Sequence, residues 1–227
     1  MTTINKKKLT YSLWSLVYLA LTIAIVVSSV SLFNNFYYES VYVSGGSMNP
    51  IFAGNGDIDR GGERFGSDYG IIDKNSGAKR NVKRFQIVTT YYPGDPIDRD
   101  NATYKIKRVL VKPGERFKIV DNDLYIYDER HNSWGDALEM PFVRNGIDNV
   151  ESPLIYKNVQ ERTLKNDEYF LAGDNWTNSY DSFEIGPISY DLLVGVVVKM
   201  QGRCTIKQGK VVEKQTYDTR YFLGVDY

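Results

Sequence analysis

The stretch Tyr104–Tyr127, YKIKRVLVKPGERFKIVDNDLYIY, decides the fold class because it reads as three strands in succession. Tyr104–Val111, Phe117–Val120 and Leu124–Tyr127 are rich in the β-branched and aromatic residues that suit a pleated, half-buried surface. Asp121-Asn122-Asp123 separates the last two and reads as a tight hairpin connection. Alternation along the first run puts Lys105, Lys107 and Val109 on one face and Ile106, Arg108 and Leu110 on the other. Working outward, Val41–Ser44, Phe85–Tyr92, Tyr169–Ala172 and Leu193–Met200 carry the same signal. No long amphipathic helix follows residue 40, and neither an internal repeat nor a heptad array is present. Residues 53–83, rich in glycine and charge, and 128–166, polar and irregular, read as loops.

The N-terminus differs in kind. Leu9–Tyr38 carries no charge, and its core, Leu13–Phe33, has the roughly 20 apolar residues that span a ~30 Å hydrocarbon layer as a helix. Trp14 and Tyr18 at one end, and Phe36, Tyr37 and Tyr38 at the other, suit the two interfaces. A cleaved signal peptide, with Ser29-Val30-Ser31 as its small-residue site, is the main rival. The apolar region exceeds the usual ~7–15 residues of such a segment, which favours a retained anchor. Lys6, Lys7 and Lys8 hold the near end cytoplasmic and send the rest across the cell membrane. The expected organisation is a cytoplasmic segment 1–10, a transmembrane anchor 11–34 and an extracytoplasmic domain 35–227.

Charge and rare residues narrow the chemistry. The formal net charge is zero, and after the lysine triplet the remainder is slightly acidic, so no nucleic-acid partner is expected. The one cysteine, Cys204, excludes an internal disulfide and a cysteine-based zinc site. The one histidine, His131, lacks companions for a metal site.

Three local signatures remain. Ser44-Gly45-Gly46-Ser47-Met48-Asn49-Pro50 follows a strand-like run. Its glycines permit a sharp turn that could present the Ser47 hydroxyl beside main-chain N–H groups, although a Gly-Gly-Ser turn alone is more often structural. Lys107 lies in the strand Tyr104–Val111, where a lysine is ordinarily solvated. Only about one in 2,500 such amines is neutral at pH 7, whereas burial in an apolar site lowers the pKa by up to ~3–5 units and yields a base. Gly173-Asp174-Asn175-Trp176-Thr177-Asn178-Ser179-Tyr180-Asp181-Ser182-Phe183-Glu184 suits a rigid turn built on side-chain to backbone hydrogen bonds, and its carboxylate spacing is not that of an EF-hand.

In this order behind an apolar anchor, the three signatures resemble those of the type I signal peptidase family. Ser47-Met48-x-Pro50 is similar to its nucleophile box, and Lys107-Arg108-Val109 with Pro113-Gly114-Glu115 to its lysine box. Gly173-Asp174-Asn175 with Ser179, Asp181 and Ser182 is similar to its third box, and Arg84–Val88 to a short strand motif between the first two. The resemblance implies a mainly β, largely antiparallel catalytic domain with an N-terminal transmembrane helix, and a serine endopeptidase needing no metal or cofactor. By matching position it implies Ser47 as nucleophile, Lys107 as general base and Ser179 as the residue orienting the amine. Arg108, Asp174, Asn175 and Asp181 become structural support, and the Ser47 N–H one oxyanion donor. Some members place a serine two residues before the nucleophile as a second donor; Gly45 stands there, leaving Ser44 as a candidate. The implied partners are precursors bearing signal peptides and the lipid bilayer. The precursor pairs as an extended strand near Tyr42, Val43 and Ser44 and near Lys105, Ile106 and Lys107, with small residues first and third before the cut. Trp176 and Phe183 depart from the family's usual arginines, Ile51 from threonine, Val111 from glycine and Glu115 from aspartate. Those departures keep open a rival reading, a signal-peptidase-like assembly factor that binds surface-protein or pilin precursors with specialised cleavage.

Overall fold

The longest element is helical although most of the chain is not. The computed structural model describes residues 3–49, 51–52, 54, 59–60, 63–64, 66–95, 104–138, 157–176, 178–207 and 210–216. The chain divides into a unit Met1–Glu39 and a unit Ser40–Tyr227. The first is essentially α1 (Thr3–Tyr37), within which Leu13–Tyr37, 25 residues with a mean hydropathy of 2.4, is long and apolar enough to cross a membrane. At about 1.5 Å per residue, 25 residues reach about 37 Å. Apolar side chains point outward on all sides of this helix, so it offers no single core-facing stripe.

The second unit is built from antiparallel strands. In chain order these are β1 (Tyr38–Tyr42), β2 (Asp59–Arg60), β3 (Glu63–Arg64), β4 (Ser67–Asp73), β5 (Ile87–Thr90), β6 (Lys105–Val111) and β7 (Arg116–Val120), then β8 (Asp123–Asp128), β9 (Ser133–Trp134), β10 (Val159–Thr163), β11 (Glu168–Ala172), β12 (Ile188–Ser189), β13 (Leu193–Lys207) and β14 (Lys210–Thr216). Short helices α2 (Ser76–Arg80) and α3 (Ser182–Ile185) and a 3₁₀ turn, Tyr190–Leu192, complete the described elements. One sheet runs β1-β4-β13-β5-β6-β11-β12, with β14 on β13; a second runs β10-β7-β8-β9, and β2 pairs with β3 alone.

Tyr104–Tyr127 forms its three strands, and Asp121 and Asn122 make the hairpin with φ of 49° and 74°. Both residue types tolerate that left-handed region, which the tight two-residue turn demands. The alternating faces separate as well. Leu110 joins Phe117, Ile119, Leu124, Phe170 and Ala172 in a core between the two sheets, while Val109 joins Val88, Leu171, Ile188 and Val196 in another. A third cluster, Val43, Met48, Phe52 and Met200, packs against Ile87 and Ile106.

Two segments read as loops contain structure. Residues 53–83 include β4 and α2, and 128–166 include β9 and β10. β4 carries fully buried polar residues, Ser67 and Asp68, so it lacks the alternating pattern of a half-buried strand. β10, VQERT, is mostly exposed and has little apolar signal to read. The run Phe85–Tyr92 is shorter as a strand, because Phe85 adopts φ 66° in the turn that precedes β5. β13 continues past Met200 to Lys207, and its pairing with β4 shifts at Val197/Lys199 and Met200/Gly202. Such irregularities bend a strand and increase local twist.

Candidate active site

Four pairing steps separate β1 from β6 in the large sheet. At about 4.8 Å per step a flat sheet would keep them about 19 Å apart. The turn after β1 nevertheless carries Ser47 to β6, where Lys107 Nζ lies 2.7 Å from Ser47 Oγ.

The turn that presents Ser47 is held from several directions. Val43 N–H donates to the Asp68 carbonyl at 2.8 Å, tying the end of β1 to β4. Gly45 follows with φ 92°, a conformation that disfavours side chains. Gly54 packs on it so closely that a Cβ there would lie 2.3 Å from the Gly45 nitrogen and oxygen. Met48, 1% exposed, pins the other side of the turn into the third core cluster. Pro50 lies outside the described residues. The Ser47 N–H has no hydrogen-bond partner among the described residues, and Ser44 is exposed.

Lys107 is 4% exposed. It faces Val88 across β5, and Arg108 faces Ile87. Burial pushes its amine down to about 8, opposed chiefly by the charge of Asp181 and then Asp174.

The segment 173–184 clamps both. Asn175 N–H donates to the Ser47 carbonyl at 3.0 Å, and Asn175 Nδ2 to the Gly46 carbonyl at 3.1 Å. A Cβ at Gly173 would lie 2.3 Å from both the Ser47 carbonyl and Ser179 Oγ, so glycine there is a steric requirement. Arg108 binds the buried Asp174 through two bonds of 2.7 and 2.6 Å, and its third arm reaches the Phe85 carbonyl at 2.7 Å. This bidentate pair joins β6 to the third segment and also fastens the left-handed Phe85. Asp181 Oδ2 accepts from Gly173 N–H at 2.8 Å, and Asp181 forms a capping box with Glu184 at the start of α3.

The Ser179 hydroxyl donates to Asp181 Oδ2 at 2.5 Å, and among the described residues no hydrogen bond joins it to Lys107. A buried carboxylate is the stronger acceptor for that hydroxyl, and the amine's bond goes to Ser47.

The strand edges are also informative. β11 pairs with β6 from Arg108 to Val111, so Lys105–Lys107 lacks a strand on that side among the described residues. Tyr42, Val43 and Ser44 lie at and just beyond the end of β1, the terminal strand of the large sheet. Tyr42 is 39% exposed, whereas Val43 is buried.

The family signature described as signal peptidase, peptidase S26, matches residues 14–200. The chain belongs to the signal peptidase family. It is 28% identical over 161 residues to signal peptidase I V of Bacillus subtilis (strain 168), covering 68% of this chain and 80% of that one. It is also 28% identical over 199 residues to signal peptidase I T of the same organism, covering 85% and 86%. A crystal structure of a signal peptidase I from Enterococcus faecalis V583 aligns with a TM-score of 0.38 and 26% identity, over 52% of this chain and 97% of that one. Membership of the signal peptidase family, with one N-terminal apolar helix, makes this a membrane-anchored peptidase that removes signal peptides.

Trp176 and Phe183, which depart from the arginines common in signal peptidases, meet edge-on with centroids 5.1 Å apart. Phe183 continues edge-on to Phe170, and Lys157 sits over Phe183 while pairing with Glu184 at 2.7 Å. Aromatic packing and a lysine from just before β10 thus brace this segment. Sequence reading missed Gly54 and Lys157; only Gly54, in a glycine-rich stretch, left a signal, since a distant lysine gives none.

Proposed function

We propose that the protein is a membrane-bound serine endopeptidase in which Ser47 and Lys107 cleave signal peptides through an acyl-enzyme. The observation that carries this reading is a buried lysine amine 2.7 Å from a serine hydroxyl, with its pKa pushed down to about 8. In its neutral form the Lys107 nitrogen offers a lone pair, so the Ser47 hydroxyl becomes the donor of that hydrogen bond. As Ser47 Oγ attacks the scissile carbonyl carbon, its proton passes to Lys107. The developing oxyanion is received by the unpartnered Ser47 N–H. The ammonium then protonates the departing nitrogen, which becomes the new N-terminus of the mature protein. Lys107, neutral again, takes a proton from the water that attacks the ester and returns it to Ser47 Oγ as the ester C–O bond breaks, releasing the signal peptide as a carboxylate.

The precursor would bind as an extended strand between the open edge of Lys105–Lys107 and Tyr42–Ser44. Asn175, Asp174, Arg108 and Asp181 hold the turn and the strand in register without touching the reacting atoms, and Ser179 acts through Asp181. Lys6, Lys7 and Lys8 orient the anchor with its N-terminus in the cytoplasm, so the peptidase unit works on the far side of the cell membrane.

Purified protein tested on a precursor panel, with product ends identified by mass spectrometry, decides the matter. Ser47→Ala and Lys107→Arg should each reduce turnover by at least about 10³-fold, because an alanine has no nucleophile and a guanidinium is not a base near pH 7. Near-normal cleavage by either variant would remove the dyad.

A further inference from the structure

Tyr92 is a buried group that the chemistry above leaves unused. It is 9% exposed and packs with Val88 and Val109. Val88 stands opposite Lys107 and Thr90 opposite Lys105. Directly opposed residues share a face, and Tyr92, just past the end of β5, packs with Val88 and has Lys105 over its ring, which puts it on the Lys107 side of the sheet. Its hydroxyl donates to the Tyr180 carbonyl. Tyr180 sits between Ser179 and Asp181 in a stretch that belongs to no strand or helix, and its own side chain is 64% exposed. Ser179 in turn lies against the Ser47 peptide across Gly173.

From this arrangement we propose that Tyr92 is a positioning residue for Lys107, its hydroxyl fastening the Ser179–Asp181 segment that keeps water from the amine. The inference rests on the Ser47–Lys107 reading and deepens it. Without the hydroxyl, the Tyr180 carbonyl loses its partner, and the segment is held by Asp181, by Asn178 N–H on the Asn175 carbonyl and by the Tyr92–Tyr180 ring contact. Asp181 stays anchored by Gly173 and Phe183, so the main change at Lys107 is access of water. Water relieves the desolvation that holds the amine down, and the amine moves up toward its ordinary value. The charges around Lys107 are Asp181, Asp174 paired with Arg108, Lys105, and Glu184 paired with Lys157. Around Tyr92 they are Asp181, Asp95 and Glu184, with Lys105 5.8 Å from its ring. Tyr92→Phe removes none of these.

The test is Tyr92→Phe in the full-length protein. The acid limb of kcat/KM against pH should move upward by about one unit, which lowers activity on that limb about tenfold, while KM changes less than about twofold. Tyr169→Phe is the control: it deletes a hydroxyl that donates to the Lys79 carbonyl at 3.2 Å and should leave the limb in place. Competitive acetylation of Lys107 across the same pH range, read by mass spectrometry, reports the amine without any turnover. An upward shift of its titration in Tyr92→Phe supports the proposal even if Ser47→Ala cleaves normally and the dyad reading falls. An unshifted Lys107, with or without a lower Tm, overturns it.

Discussion

Burying an amine costs stability, and at Lys107 that cost is the source of the proposed reactivity. With its pKa at about 8, about one Lys107 in ten is neutral at pH 7, against about one in 2,500 for a solvated lysine. Cleavage should therefore rise about tenfold per unit below pH 7 and level off above about 8, which a pH profile of kcat/KM reads directly. The same shift has a stability signature. Below about pH 8 both the folded and unfolded chains hold the proton, and the folded state bears the full penalty of a buried ammonium. Between about 8 and 10.5 only the unfolded chain stays protonated, so the stability of the protein rises with pH across that window. Lys107→Met keeps the volume and removes the charge. It should abolish cleavage yet add up to ~3 kcal/mol at pH 7, with the gain shrinking toward zero by about pH 10.5. Denaturant unfolding of both proteins at the two pH values checks this; an equal difference at both would contradict the sign of the shift.

At the scale of elements, β6 does three things at once. Its Arg108 end pairs with β11 and fastens the third segment, its middle carries Lys107, and its Lys105–Lys107 edge has no strand on the β11 side among the described residues. The alternation in YKIKRVLV made these faces readable, because each apolar residue there meets a core and each break has a turn residue. The same reading failed at β4, where buried Ser67 and Asp68 stand where apolar residues would mark a strand. Nor could spacing reveal that the Ser179 hydroxyl chooses Asp181, because hydrogen-bond choice depends on which acceptor is buried beside it. The approach of Ser47 to Lys107 was legible only through resemblance, since it depends on the strand order of the sheet and on the path of the turn after β1. If a substrate completes the open edge as a strand, its backbone N–H groups alternate between pairing with β6 and facing away. N-methylation of single residues before the cut should then lower kcat/KM by about three- to tenfold at alternate positions, with smaller effects between them. A uniform response along the peptide would argue against strand pairing.

At the scale of the whole molecule, the division into Met1–Glu39 and Ser40–Tyr227 separates tethering from chemistry. Every contact described around the Ser47–Lys107 pair comes from residues 43–200, all within the second unit. A precursor whose own apolar signal segment sits in the same bilayer is thereby confined with the peptidase. Such confinement raises effective concentration, by factors that reach 10²–10⁴ in tethered systems, without any new contact. Removing residues 1–34 keeps β1, the turn and all three core clusters. The shortened protein should cleave a short soluble peptide at a rate within about threefold of the full chain. On precursors inserted in vesicles it should fall by at least about tenfold, because only the second substrate shares a membrane with the anchor. Side-by-side rates on the two substrates separate the effects. An equal loss on both would mean that the helix supports the fold of the peptidase unit and does more than hold it at the bilayer.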